Sequence, residues 1–145
     1  MSTIADKEQE IVEEFSMLDG DMEMTINYIM ELGEQLPEIP AESKTDDHLV
    51  KGCQSKVWLN AALEDGKVNF VADSNTAITK GLVSLLTRVL SGETPESILK
   101  AEVTFPQQIG MNRFIGTQRS NGFAAMIKQM KLYALALSSK SQTNA

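Results

Sequence analysis

The sequence predicts a mixed α/β (α+β) fold in which a small antiparallel sheet of about three strands packs against several helices. Three observations carry that expectation: apolar residues recur at helical spacing towards both ends of the chain, one central stretch alternates around an Asp-Gly turn, and the most apolar helical pattern follows it directly. A chain of 145 residues has the size of one ordinary domain. That domain is expected to span 1–145, with a core at about 7–137 and a polar, disordered tail at 138–145.

Residues 5–18 set Ile11, Val12, Phe15 and Leu18 at helical spacing behind acidic residues, which the helix dipole favours at a start. Asp19-Gly20 ends this segment, and a second helix over about 22–36 aligns Met22, Ile26, Ile29, Leu32 or Gly33, and Leu36, forming an antiparallel pair with the first. Met17, Met22, Met24 and Met30 could mark an adaptable binding surface, but their spacing favours core packing. Pro37 and Pro40 lead into a polar loop over 37–48. Next, Val57, Leu59 and Ala61 alternate with Trp58, Asn60 and Ala62; Asp65-Gly66 supplies a hairpin turn, and Val68, Phe70 and Ala72 continue on a second strand. Two strands alone are marginal, so a third edge is expected from Leu49 and Val50, or from residues 101–105.

Ser74 is placed to cap a helix starting at about Asn75, whose Ile78, Leu82, Leu85, Leu86, Val89 and Leu90 should pack on the sheet before Ser91-Gly92 stops it. Thr94-Pro95 opens a short helix through Leu99. Residues 109–114 suggest one or two turns, closed by Gly116-Thr117. Thr117 then caps a last helix over about 118–137, burying Phe123, Ile127, Met130, Ala134 and Leu137, beyond which the chain from Ser138 should fray.

Charge narrows the function classes. Twenty acidic against 13 basic residues give a net charge of −7 without a basic stripe, so nucleic acid is not an expected partner. The start of the chain carries Asp6, Glu8 and Glu10 rather than a signal-like apolar run, and no later run approaches a membrane span; a cytoplasmic protein without membrane contact is expected. One cysteine forms no internal disulfide, and one cysteine with one histidine cannot close a zinc or iron–sulfur site within a chain. No resident cofactor or metal is expected.

The chemistry concentrates in residues 50–63, VKGCQSKVWLNAAL, which hold that cysteine. A lone cysteine is ordinarily an inert small hydrophobe. Around Cys53, however, Lys51, Gly52, Gln54, Ser55 and Lys56 leave no apolar face, so the thiol is placed on a loop that feeds a strand, with Gly52 providing backbone freedom. Only the thiolate attacks, and Lys51 or Lys56 could favour it by pointing inward. His48, five positions earlier, is either a base for Cys53 or a solvated loop histidine. Asp73 ends a strand beside a helix start, where capping or loop anchoring also accounts for it. Arg119 is disfavoured by the dipole at a helix N-terminus, and Gly122 costs that helix about 1 kcal/mol. An arginine so placed could reach a carboxylate or thiolate elsewhere, and a pair between Arg119 and Asp73 is one expectation.

Three runs, GCQSKVWL around Cys53, ADSNTAITKGL over 72–82 and QRSNGFAAMI over 118–127, together resemble the SufE family of sulfur-acceptor proteins, including its CsdE branch. The resemblance covers about residues 7–137. It implies an α/β fold like that of the iron–sulfur scaffold IscU, and a partnership with a pyridoxal-phosphate cysteine desulfurase of the SufS or CsdA type. In that partnership Cys53 would accept sulfur as a persulfide, with Asp73 and Arg119 on family positions, and pass it to an iron–sulfur scaffold complex. Lys51, Gly52, Gln54, Ser55, Trp58 and His48 are the candidate supporting residues. The chain departs from the common family pattern at His48, where many members have asparagine, at Lys56, where many have glutamine, and at Ile115-Gly116-Thr117 before the final helix. Two other readings of the residues stand beside this one: a binding module that stimulates a desulfurase without carrying sulfur, and a stand-alone thiol enzyme such as a peroxidase.

Overall fold

The computed structural model describes residues 3–143, with side chains as far as Ser139. Helix α1 (Ile4–Ser16) starts on a capping box in which Thr3 and Asp6 satisfy each other's backbone amides. Asp19 and Gly20 turn the chain with positive φ of 51° and 73°, and Asp21 caps α2 (Met22–Glu34). Two short 3-10 turns, Ala41–Ser43 and Asp46–His48, lead to β1 (Val57–Glu64). Strand β2 (Lys67–Ser74) returns antiparallel, in register from Glu64 opposite Lys67 to Val57 opposite Ser74. Asp65 and Gly66 make the turn at φ 51° and 77°, the left-handed pair that matches the twist of a two-residue hairpin. Helices α3 (Ala77–Leu90), α4 (Pro95–Lys100), α5 (Phe105–Gln108) and α6 (Met111–Thr143) complete the chain.

The core forms where α3 lies on the sheet. Leu82, Val83, Leu85, Leu86, Val89 and Leu90 are buried from the helix, and Val57, Leu59, Val68, Phe70 and Ala72 from the strands. Each of these side chains other than Ala72 contributes roughly 1.5–3 kcal/mol when fully withdrawn from water. Helix α2 covers the other side of α3 through a backbone-to-backbone crossing. A Cβ at Gly81 would sit 2.0 Å from the Ile29 carbonyl oxygen, and one at Gly33 would sit 2.7 Å from the Gly81 nitrogen. Helix α1 is tied on by polar groups. Buried Glu8 accepts from the Thr104 and Phe105 amides at 2.7 and 2.8 Å, capping the start of α5, so its charge is hydrogen-bonded rather than stranded. Glu14 receives Arg88 from α3 and Tyr28 from α2.

Four expectations are corrected. The sheet has two strands rather than three: Leu49 contributes one isolated bridge to Trp58, and residues 101–105 join no strand, because Phe105 already begins α5. Helix α3 starts at Ala77, with Thr76 in the cap position and Ser74 accepting from the Thr76 amide at 3.4 Å. Met17, Met22 and Met24 do not pack in the core; they are 80%, 52% and 53% exposed, Met17 because it caps the end of α1, and Met22 and Met24 because α2 turns Thr25, Ile29 and Gly33 inward instead. The segment from Ser138 does not fray, for α6 continues to Thr143 and Ser138 is buried. The rest of the expected tail, residues 144 and 145, lies outside the described residues, as do residues 1 and 2 of the expected domain. Helix α6 bends at Gly116, whose φ of 79° and ψ of 172° separate a short first segment from the long second one.

Candidate functional site

Cys53 lies on the six-residue arc between Val50 and Val57, which is closed at its base by the Val50 amide donating to the Val57 carbonyl at 2.8 Å. Gly52 turns the arc with φ of 96°, and its backbone passes close to α6, where a Cβ would meet that of Ala125 at 3.3 Å. The thiol is thereby carried against the second segment of α6. Its S–H donates to the Gly122 carbonyl with an Sγ to oxygen distance of 3.4 Å. A Cβ at Gly122 would lie in van der Waals contact with Sγ at 3.4 Å, so this glycine borders the sulfur directly.

Beside the thiol is a cavity of about 90 Å³. Cys53, Gln54 and Ser55 line it from the arc, Thr79 and Leu82 from α3, and Gln118, Arg119, Gly122 and Met126 from α6. Burial pushes the Cys53 thiol pKa above its ordinary value, because the half-buried sulfur is less well solvated as an anion. The expectation that Lys51 or Lys56 lowers it is therefore not met: both side chains are exposed, and burial is what sets the direction of the shift. Ser55 accepts from Thr76 Oγ1 at 2.9 Å and from Thr79 Oγ1 at 3.3 Å. Arg119 is exposed at the cavity rim and donates to the Ile115 carbonyl at 3.5 Å.

Asp73 does not pair with Arg119. It sits opposite Trp58 in the sheet and holds Lys44 at 3.0 Å and Lys80 at 3.4 Å. Burial raises its carboxyl, but the Lys44 hydrogen bond, the Ser74 amide and the Lys80 charge together outweigh burial and hold it below the usual carboxylate range. Lys44 also stands over the Trp58 ring, 4.9 Å from its centroid. This cluster borders a second, wider cavity of about 500 Å³ that Cys53 does not line. His48 is not at the thiol either: its Nδ1 lies 3.0 Å from Thr45 Oγ1. Of the candidates, Cys53, Gln54, Ser55 and Arg119 thus share one cavity, while His48, Lys51, Gly52, Trp58 and Asp73 lie outside its lining.

Sequence reasoning did not assign Thr79, Leu82, Gln118, Gly122 or Met126 to the site. Gly122 did carry a signal, a glycine retained inside a helix despite its cost, and the structure places it directly beside the sulfur. Among the described residues no group of three or more His, Cys, Asp or Glu side chains is arranged to hold a metal ion, and no helix is long and apolar enough to cross a membrane.

Fold and site together define a mixed α/β protein built around one sheltered loop cysteine. The chain belongs to the SufE family: residues 9–134 match the family model described as SufE, Fe-S metabolism associated domain. A SufE-like protein of Rhizobium meliloti is 33% identical over 127 residues, covering 84% of this chain and 90% of the relative. One from Synechocystis is 35% identical over 126 residues, covering 87% and 79%. SufE-like protein 1 of Arabidopsis thaliana, chloroplastic/mitochondrial, is 34% identical over 137 residues; the match covers 94% of this chain and 37% of that longer protein. The solution structure of a hypothetical protein from Thermus thermophilus has the same fold, with a TM-score of 0.76 at 22% identity over 92% of this chain and 96% of that one.

Proposed function

We propose that this chain accepts sulfur as a persulfide on Cys53 from a pyridoxal-phosphate cysteine desulfurase of the SufS or CsdA type, stimulates that enzyme, and passes the sulfur on towards iron–sulfur cluster assembly. The observation that carries the reading is the thiol beside its cavity. At about 90 Å³ the space is well above the roughly 10–15 Å³ at which a cavity first admits a water, so a sulfur atom added to Cys53 has room beside Gly122.

The partner's cofactor performs the carbon–sulfur cleavage; this chain supplies the acceptor. The Cys53 thiolate attacks the outer sulfur of the partner's persulfide. A new S–S bond forms at Cys53, the partner's S–S bond breaks, and the partner cysteine leaves as thiolate, so no external oxidant or reductant is consumed. In the sheltered state the raised pKa keeps Cys53 protonated at neutral pH, and movement out of the cavity restores an ordinary, more readily ionised thiol. Arg119 at the rim offers positive charge to the thiolate as it forms. A reducing compartment such as the cytoplasm suits this chemistry.

The test is a mass spectrum of the protein after incubation with a desulfurase and free cysteine. One added sulfur, absent in Cys53→Ser, is expected. If Cys53→Ser stimulates the desulfurase as well as the unaltered chain does, the protein is a binding module rather than a carrier.

A further inference from the structure

Release of Cys53 requires the arc around it to part from α3 and α6, and the structure shows what resists. Both ends of the arc are fixed. Val50 bonds to Val57, and Lys56 is held by Asn75 in both directions, its amide donating to Asn75 Oδ1 at 3.0 Å and its carbonyl accepting the Asn75 amide at 3.2 Å. Between these pins, among the described residues, 51–55 make no backbone hydrogen bond outside regular elements. Their side-chain hydrogen bonds are three: Cys53 to Gly122, and Ser55 to Thr76 and to Thr79. The first depends on a thiol, a weak donor. The other two converge on one oxygen two residues from the sulfur.

We propose that Ser55 is a positioning residue whose hydroxyl, holding Thr76 and Thr79 at the start of α3, latches the Cys53 arc in its sheltered state. This deepens the persulfide reading and rests on it for the reason release matters. The placement suits a reversible catch. Ser55 lies between the fixed base at Lys56 and the tip at Cys53, so breaking its two bonds frees the tip without unpinning the strand. Thr79 is buried on the cavity wall while the arc is closed, and the departing arc opens that wall, so water replaces Ser55 as its partner.

The test needs no desulfurase. The second-order rate of Cys53 alkylation by iodoacetamide is measured on the full chain across a range of pH. Ser55→Ala is expected to raise the rate about tenfold at neutral pH, the factor that corresponds to roughly 1.4 kcal/mol. It should also move the rate–pH midpoint down towards that of an ordinary cysteine. Arg119 on α6 is the charged side chain in the cavity lining, α3 adding none, and the arc itself carries Lys51 and Lys56, both exposed. All three are retained in the variant, so the moved midpoint reports opening. Thr79→Val, which keeps the side-chain shape and leaves the Thr76 bond in place, should give a smaller gain of about threefold, and Ser55→Ala with Thr79→Val should gain less than the product of the two, because the Ser55–Thr79 contact is removed in both. Alkylation within twofold of the unaltered chain in both single variants, or fully multiplicative gains in the double, would overturn the latch. Absence of persulfide on the unaltered chain would refute the acceptor reading without touching these rates; unchanged rates beside normal persulfide formation would refute the latch alone.

Discussion

Gly122→Ala should make the protein more stable and a poorer keeper of sulfur. The added methyl carbon would lie 3.4 Å from Cys53 Sγ, 3.7 Å from its Cα and 3.8 Å from its Cβ, all ordinary van der Waals distances. The thiol form therefore tolerates it. Replacing glycine by alanine inside a helix contributes about 1 kcal/mol, which for a chain of this size raises the melting temperature by roughly 2–4 °C. The persulfide meets a different wall. Its extra sulfur must share the space beside Gly122 with the methyl group, and overpacking of this kind costs about 1–3 kcal/mol. The persulfide form is then pushed towards solvent, and its lifetime against a small thiol reductant should shorten about tenfold, the equivalent of roughly 1.4 kcal/mol. Thermal unfolding reads the first effect, and mass spectra taken at intervals after reductant is added read the second. A lowered melting temperature would show that the thiol already needs all the room Gly122 leaves. An unchanged persulfide lifetime would show that this space does not shelter the sulfur.

A Cβ at Gly81 would strike the Ile29 carbonyl, which cannot swing aside, so Gly81→Ala should lose about 2 kcal/mol net of its propensity gain and melt roughly 4–8 °C lower; a melting point at or above that of the unaltered chain would discredit the close α2–α3 crossing. Burial, with Glu14 beside it, pushes Tyr28 up to about 12. Its folded value is raised above the unfolded one, so the associated stability is fully present below about pH 10 and is lost as pH rises through about 12. Tyr28→Phe should flatten that alkaline decline in urea titrations, and an identical slope would refute the assignment. Arg119→Ala removes one long bond to Ile115 from an exposed side chain and should change stability by no more than about 0.5 kcal/mol. Sulfur acceptance at limiting protein should nevertheless drop, and near-normal transfer would reduce Arg119 to a surface residue.

How far the sequence could be read depended on whether the information was local. The Asp65-Gly66 hairpin was legible because a two-residue turn with positive φ is encoded in the two residues themselves. Thr94-Pro95 marked α4 for the same reason, the threonine side chain accepting from Ser97. Apolar spacing placed α3, since all its large aliphatic residues from Leu82 onward face the core. The methionines show the limit of that signal. Periodicity says which residues share a helix face, but the face of α2 that turns inward was chosen by Gly33, where the helices nearly touch, and not by Met22 and Met24. Long-range pairing was the least legible. Asp73 had a carboxylate's need for a cation, yet Lys44 and Lys80 meet it in place of Arg119, because strand register and the path of the preceding loop decide which cation arrives. In the site, Cys53 stood out by its polar neighbours, whereas Thr79 and Met126 became visible only once α3 and α6 were set side by side.

The pins at Val50 and Lys56 give the thiol a measurable tether. Cys53 lies three residues from each, at the midpoint of the arc, where a loop held at both ends extends farthest from its base. At a maximum of about 3.3–3.6 Å per residue, its Cα can stand no more than roughly 10–11 Å from either anchor, however freely the arc moves. That radius is a geometric condition on any partner. A reactive sulfur deeper in its pocket than this arm can follow stays out of range unless the pocket mouth also admits the end of the β-hairpin from which the arc springs. Insertion of a single residue on either side of Cys53 lengthens that side only, tilting the apex away from the midpoint, so arm length and aim are set together by the spacing of the two pins.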